Sequence, residues 1–240
     1  LMVAIGFLIF MYLTLHHPLR KQILSSEQFF NASFTGLFSG IIGGRILFVL
    51  LEWNEFKANP IEALYPWIGG FSMLGSILAI LIFIPLYLKK NKIPILPLLD
   101  ISSLHLPLLH AVARIGCFLA GCCYGIPASP VAWYAIQHRH PAQLYTSAAS
   151  LLIFVILQIA NRYKSCGTGI ITLSYLALAS LSRFAIDFWR GDSEPLTSHL
   201  LGPISGIFSH YQLVALIIFI CTFSTLLLVL SGQSKTPKNL

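Results

Sequence analysis

His110–Gly125, reading HAVARIGCFLAGCCYG, sets an arginine and a glycine-cysteine turn inside sequence apolar enough to lie in a bilayer. A guanidinium near the centre of a membrane helix costs about 2.5–3.5 kcal/mol on insertion scales, so it faces a protein interior or a water-filled cavity and takes a partner there. The run holds no acidic residue to pair with Arg114. The partner is then a carboxylate from elsewhere in the chain or an anionic ligand. In a membrane, the commonest anionic ligand is a phospholipid headgroup.

The rest of the chain fits that setting. Hydrophobic residues make up 56% and charged residues only 10%, with a mean hydropathy of +0.80. The composition is that of an integral membrane protein. Windows of about 20 mainly apolar residues fall at 1–15, 34–51, 68–88, 104–120, 142–160, 168–188 and 211–231. We therefore expect an all-α polytopic fold of about seven transmembrane helices, one membrane-embedded domain over 1–240, with no room for a soluble domain. The first window is short and starts at Leu1, so residues upstream of it are expected. It reads as a span rather than a signal peptide, because no cationic stretch precedes it and no small-residue cleavage site follows.

The basic residues orient these windows. Arg20, Lys21, Lys89, Lys90, Lys92, Arg162, Lys164, Lys235 and Lys238 follow odd-numbered segments, whereas Lys57, Arg139 and Arg190 follow even-numbered ones. Basic residues accumulate in cytoplasmic loops. The amino terminus is thus expected outside, the carboxyl terminus in the cytoplasm, and the loops near 52–67, 121–141 and 190–210 outward. The net charge of +7 reflects this topology and anionic lipid. No basic stripe with interleaved aromatics speaks for nucleic acid.

The remaining basic residues, Arg45, Arg114 and Arg183, lie in or at the edges of segments, each beside small residues. Gly43 and Gly44 precede Arg45, Gly116 and Gly121 flank the Arg114 region, and Ser180 and Ser182 precede Arg183. Small residues let helix backbones approach closely, which would gather the three guanidiniums around one cavity. Snorkelling to an interface is the alternative for Arg45 and Arg183. A planar guanidinium suits phosphate because it donates two parallel, permanently charged hydrogen bonds. Asp187 stands four residues after Arg183 and three before Arg190, on one helical face. It reads either as a structural ion pair or as the group that orients a phosphate-binding arginine.

Further along, Arg139-His140-Pro141-Ala142-Gln143-Leu144-Tyr145 closes an outward loop, with proline placed to open segment five. Cys117, Cys122 and Cys123 raise a metal or redox reading, but the C-x4-C-C spacing lacks the paired cysteines of usual zinc sites. Cys166 and Cys221 read as packing positions. No nucleotide loop, metal quartet or cofactor fingerprint appears, so neither cofactor nor metal is expected.

Taken together, Gly43-Gly44-Arg45, Gly69-Gly70-Phe71-Ser72, Arg114-Ile115-Gly116-Cys117-Phe118 with Gly121 and Gly125, His140-Pro141-Ala142-Gln143-Leu144-Tyr145, and Arg183 with Asp187 and Arg190 resemble the prolipoprotein diacylglyceryl transferase family. The resemblance spans nearly the whole chain and keeps the family's order. It implies a multi-pass enzyme of the bacterial cytoplasmic (inner) membrane with its active site toward the outer leaflet. Such an enzyme moves diacylglyceryl from phosphatidylglycerol to the lipobox cysteine thiol of an exported prolipoprotein and releases glycerol phosphate.

Carried over by position, the resemblance makes Arg114 and Arg183 the essential arginines. It places Arg45, Arg114, Gly116, Gly121, Gly125, Gln143, Tyr145, Asp187 and Arg190 around the substrate. The chain departs from the family in three places. Leu74 stands where many members have a histidine, Cys117 where many have asparagine, and Thr146 where glutamate is usual. His110 and His140 are the residues that could replace the missing base. Two other readings remain open: a phospholipid-binding or transport protein without catalysis, and a related transferase with a different acceptor.

Overall fold

Every apolar window becomes a helix in the computed structural model, which describes residues 1–57, 59–65, 70–129, 136, 138–163, 168–191 and 208–233. Gly69, Lys164, Cys166, Lys235 and Lys238, used above, lie outside the described residues. In chain order the helices are α1 (Met2–His16), α2 (Pro18–Ile23), α3 (Ser26–Leu51), α4 (Trp53–Phe56), a 3-10 turn (Pro60–Leu64), α5 (Met73–Lys90), α6 (Ile95–Leu119), α7 (Ala142–Tyr163), α8 (Ile170–Asp187) and α9 (His210–Gln233). Five of them, α3, α6, α7, α8 and α9, are long and apolar enough to cross a bilayer. The protein is an all-helical, polytopic membrane protein. Pairing outside helices is confined, among the described residues, to isolated bridges.

The helices run past the windows where polar residues begin them. α3 starts eight residues before its window, at a capping box in which Ser25 accepts from Gln28 N–H and the Gln28 side chain accepts from Ser25 N–H. α6 likewise begins at Ile95 and continues through Pro107.

The chain folds as two compact units, one of residues 15–98 and one of residues 1–14 with 99–240. In the first, α3 packs on α5 through glycines. A Cβ on Gly43 would lie 2.3 Å from Ala79 Cβ and 2.7 Å from Gly75 O, and one on Gly75 would lie 2.4 Å from Gly43 O. The two backbones therefore touch at this crossing, which only residues without a side chain permit. Gly70, at φ +80°, has the Phe48 ring where its Cβ would be.

In the second unit, α7 shows how a membrane helix is turned inside out. Its buried face follows the helical period through Gln143, Thr146, Ser147, Ser150, Ile153 and Leu157, whereas Leu152, Val155 and Ile159 are exposed. Lipid solvates leucine well and hydroxyls poorly, so the polar groups turn inward and find partners there. Ser147 donates to Ala111 O at 3.0 Å and Gln158 to Leu104 O at 3.3 Å, tying α7 to α6. Leu104, Ile153, Leu157 and Ile171 form the apolar core between α6, α7 and α8.

α1 lies along α6 with its small residues at the contact. A Cβ on Gly116 would meet Met2 Cβ at 2.7 Å, and one on Gly6 would meet Leu109 O at 3.1 Å. Thr14 Oγ1 and His105 Nδ1 are hydrogen-bonded at 3.0 Å further along the same pair. The start of α8 is held by Asp100 of α6. Its carboxylate accepts from the Thr172 N–H and hydroxyl at 2.9 and 2.7 Å and from Gly169 N–H. An anion at a helix amino terminus is favourable both for the unpaired N–H groups and for the dipole.

Gly43→Val tests the α3–α5 crossing. Overpacking at such a contact costs about 1–3 kcal/mol, so the variant should melt several degrees below wild type in detergent. An unchanged melting temperature would show that the two helices can part there without cost.

Candidate active site

The second unit encloses a cavity of about 50 Å³ lined by Pro107, His110, Arg114, Thr146, Ser150, Ile153, Tyr175, Ala179, Ser182, Arg183 and Ile186. Two of the three intramembrane arginines expected to share a cavity, Arg114 from α6 and Arg183 from α8, do share this one. Arg45 belongs to the other unit. There it is buried, donating to the carbonyls of Ala63 (2.9 Å), Glu62 (2.8 Å) and Gly70 (3.0 Å). Its guanidinium also sits over the Phe48 and Phe56 rings, 5.8 and 5.3 Å from their centroids. These contacts make Arg45 the clamp on the chain between α3 and α5.

Arg114 is arranged differently. Its Nε–H donates to His110 Nε2 at 3.2 Å, one turn back on α6, and His110 Nδ1 is hydrogen-bonded to Ser150 Oγ of α7 at 3.0 Å. An arginine Nε–H can only donate, so Nε2 carries the lone pair and Nδ1 carries the hydrogen that it shares with Ser150. Both ring nitrogens are thereby engaged. Among the described residues, the two terminal nitrogens of Arg114 meet no hydrogen-bond partner. Arg114 is among the residues that line the cavity.

Arg183 is held from behind. Its Nη2 lies 3.1 Å from Asp187 Oδ1, and its guanidinium stands over the Tyr211 ring at 5.3 Å. The same carboxylate oxygen lies 3.8 Å from Arg190 Nε, and the other accepts from Ser209 Oγ. Ser209 is itself fixed at the start of α9, where its Oγ accepts from Gln212 N–H and Gln212 Oε1 accepts from its N–H. Asp187, with its side chain fully buried, thus joins α8, the residues just after it and the start of α9. The ion pair that the sequence suggested is present, and the arginine it holds lines the cavity.

Above this network three stretches are tied together by their backbones. Gly125 N–H donates to His140 O, His140 N–H to Ile126 O, Ile126 N–H to Trp189 O and Gly191 N–H to Tyr124 O. Gly125 stands at the centre. A Cβ there would lie 2.4 Å from His140 O and 2.5 Å from Trp189 O, so this position excludes every other residue. Gln143 donates to Cys122 O at 2.7 Å, His140 Nδ1 and the Tyr145 hydroxyl are 3.4 Å apart, and the Tyr145 ring meets Trp189 edge-on. Gly121, at φ +67° with open space around it, serves conformation rather than packing. Pro141 precedes the first helical residue of α7, Ala142, close to where the sequence placed it.

The expected site residues therefore fall into groups. Arg114, Arg183 and His110 line the cavity. Asp187 and Arg190 support it. Gly121, Gly125, His140, Gln143 and Tyr145 belong to the knot of loops. Gly116 packs against α1, and Leu74 is an exposed residue of the first turn of α5. The sequence reading missed Ser150, Tyr175 and Ser209. Ser150 carried a signal, since Gln143, Thr146, Ser147 and Ser150 form a polar stripe at helical spacing on an otherwise apolar helix.

Known proteins resemble this chain along most of its length. The family model described as prolipoprotein diacylglyceryl transferase matches residues 1–228. A Clostridium tetani protein named phosphatidylglycerol–prolipoprotein diacylglyceryl transferase is 33% identical, covering 83% of this chain and 82% of its own. A Clostridium perfringens protein of the same name, numbered 2, is 32% identical over 70% of this chain and 69% of its own, and a Thermotoga maritima one is 27% identical over 97% and 80%.

Removing the Asp187 carboxylate should disturb both arginines. Breaking a buried pair costs about 3–5 kcal/mol, and with Arg183 30% exposed on its side chain Asp187→Ala should lose roughly the lower figure in unfolding free energy. Ser209→Ala should lose about 1 kcal/mol. Equal stability of Asp187→Ala and wild type in denaturant titration would remove Asp187 as the support.

Proposed function

The chain belongs to the prolipoprotein diacylglyceryl transferase family, and from that premise we propose that it transfers diacylglyceryl from phosphatidylglycerol to the lipobox cysteine of an exported prolipoprotein. The cysteine sulfur attacks the glyceryl carbon that bears the phosphate. A carbon–sulfur bond forms as the carbon–oxygen bond breaks, the oxygen leaves with the bonding electrons as glycerol phosphate, and the thiol proton passes to a base. Charge grows on the leaving phosphate during this step, and donors already aimed at that position lower the barrier.

The observation that carries this reading is that Arg114, whose terminal nitrogens meet no hydrogen-bond partner among the described residues, lines one cavity together with Arg183. The cavity is of a size to take a phosphate group rather than a whole lipid, so the acyl chains would lie outside it among the helices. Asp187, Arg190 and Ser209 would keep Arg183 aimed, and Gly121, Gly125, Gln143 and Tyr145 would shape the entrance. His110, engaged at both nitrogens, is assigned to orienting Arg114. His140, beside Tyr145 and ahead of α7, is assigned to deprotonating the acceptor thiol, whose attack requires the thiolate. The setting is the bacterial inner membrane, with seven spans, the amino terminus outside and the cavity toward the outer leaflet. The excess of basic residues after odd-numbered segments supports that orientation.

Transfer is measured in proteoliposomes with phosphatidylglycerol and a lipobox peptide, scoring lipidated peptide and released glycerol phosphate together. Arg114→Lys should lose at least 100-fold in rate, because an ammonium cannot reproduce two parallel donors. Wild-type turnover in that variant would remove the phosphate clamp. For the base, added imidazole should restore part of the rate of His140→Ala and none of the rate of His110→Ala, and the reverse would exchange their roles. Phosphatidylglycerol binding by folded wild-type protein with neither product would favour the non-catalytic lipid-binding reading, to which Leu74 points.

A further inference from the structure

Cys117, Cys122 and Cys123 lie around the carboxyl end of α6, and their three sulfur atoms are all within 4.8 Å of one another. Their spacing in sequence matches no common metal motif, and a helix cap explains how they meet. Gly121 N–H donates to Phe118 O and Cys122 N–H to Cys117 O, the pair of bonds of a Schellman cap with Gly121 as its left-handed residue. Such a cap brings the side chain of the residue after the glycine back against the one five positions earlier. Here both are cysteines. Cys123 then adopts φ +58°, a conformation uncommon for a residue with a side chain, and its thiol joins the other two.

We propose that Cys117, Cys122 and Cys123 form a three-thiolate site for a single soft cation, Cu(I) or Zn(II). Thiolates select these ions over harder ones. At metal–sulfur distances of about 2.3 Å, three sulfurs bound to one ion stand roughly 3.8–4.0 Å apart, so small side-chain rotations within the observed 4.8 Å limit bring them into place. Cu(I) is satisfied by three sulfurs in a plane, and Zn(II) completes its tetrahedron with water. Each thiol gives up its proton to solvent as the ion binds, and no electron is transferred. Cys122 is exposed and the other two are partly exposed, so an ion reaches the site without unfolding the cap. Gln143 holds the Cys122 carbonyl at 2.7 Å, which fixes the turn on which two of the ligands stand.

The full-length protein in detergent, reduced and stripped with chelator, is titrated with Zn(II) against a chromophoric chelator and separately with Cu(I) against bicinchoninate. The expected result is one ion per chain for at least one of the two metals, with affinity at least tenfold lower in each of C117S, C122S and C123S and unchanged in C221S. Maleimide labelling of wild type gives a second reading that needs no variant. The bound ion should protect Cys117, Cys122 and Cys123 and leave Cys221 reactive. Unchanged affinity in the triple serine variant, failure of both metals to compete with the chelators, or a disulfide within the trio in protein that has never been reduced would each overturn the site.

Discussion

Asp187 is the carboxylate around which the second unit is arranged. It is buried, it faces Arg183 and Arg190 with one oxygen, and it accepts from Ser209 with the other. In a low-dielectric interior such a group is tolerated only when its partners are complete. That requirement brings the end of α8, the residues after it and the start of α9 to one place. Arg183 can then line a cavity with its charge directed by a neighbour rather than drawn off to the membrane surface. Arg114 on α6 has no carboxylate beside it in the sequence, and its backing is a histidine.

The difference between the two arginines decides what the cavity can do. Arg183 is partly neutralised by its ion pair, whereas Arg114 gives one donor to a neutral ring and keeps its full charge. The cavity is thus lined by one tethered cation and one with no carboxylate beside it among the described residues. Arg45 shows the alternative fate of a membrane arginine, with its donors taken by backbone carbonyls of the chain between α3 and α5. Three arginines that look alike in sequence thus divide into a structural clamp, a supported cation and an open one.

The apolar windows were legible because lipid imposes length and composition on a span, and each window holds a helix, five of them long and apolar enough to cross a bilayer. The starts of α3 and α6 were not, since a hydropathy window leaves out the polar first turns such as the Ser25 capping box of α3. Within the site, Arg114, Arg183 and Asp187 stood out as charges in apolar sequence, and the glycines 121 and 125 stood out through the motif they share with the family. Ser150 and Ser209 could be located only by the fold, because a serine in a membrane helix is ordinary until its partner is known. That Arg45 belongs to a different compact unit from the other two was also invisible. Flanking glycines report that backbones approach closely and do not report which helix approaches.

Arg114 and His110 lie one turn apart on the same helix, while Ser150, the third member of the chain, lies on α7. Any movement that parts α6 from α7 would carry the arginine and the histidine together, so that within this chain of three the bond broken is the one to serine. Such a movement would also release the Ser147–Ala111 and Gln158–Leu104 bonds between the two helices, yet Arg114 would keep its orientation, because the residue that holds it travels on the same helix.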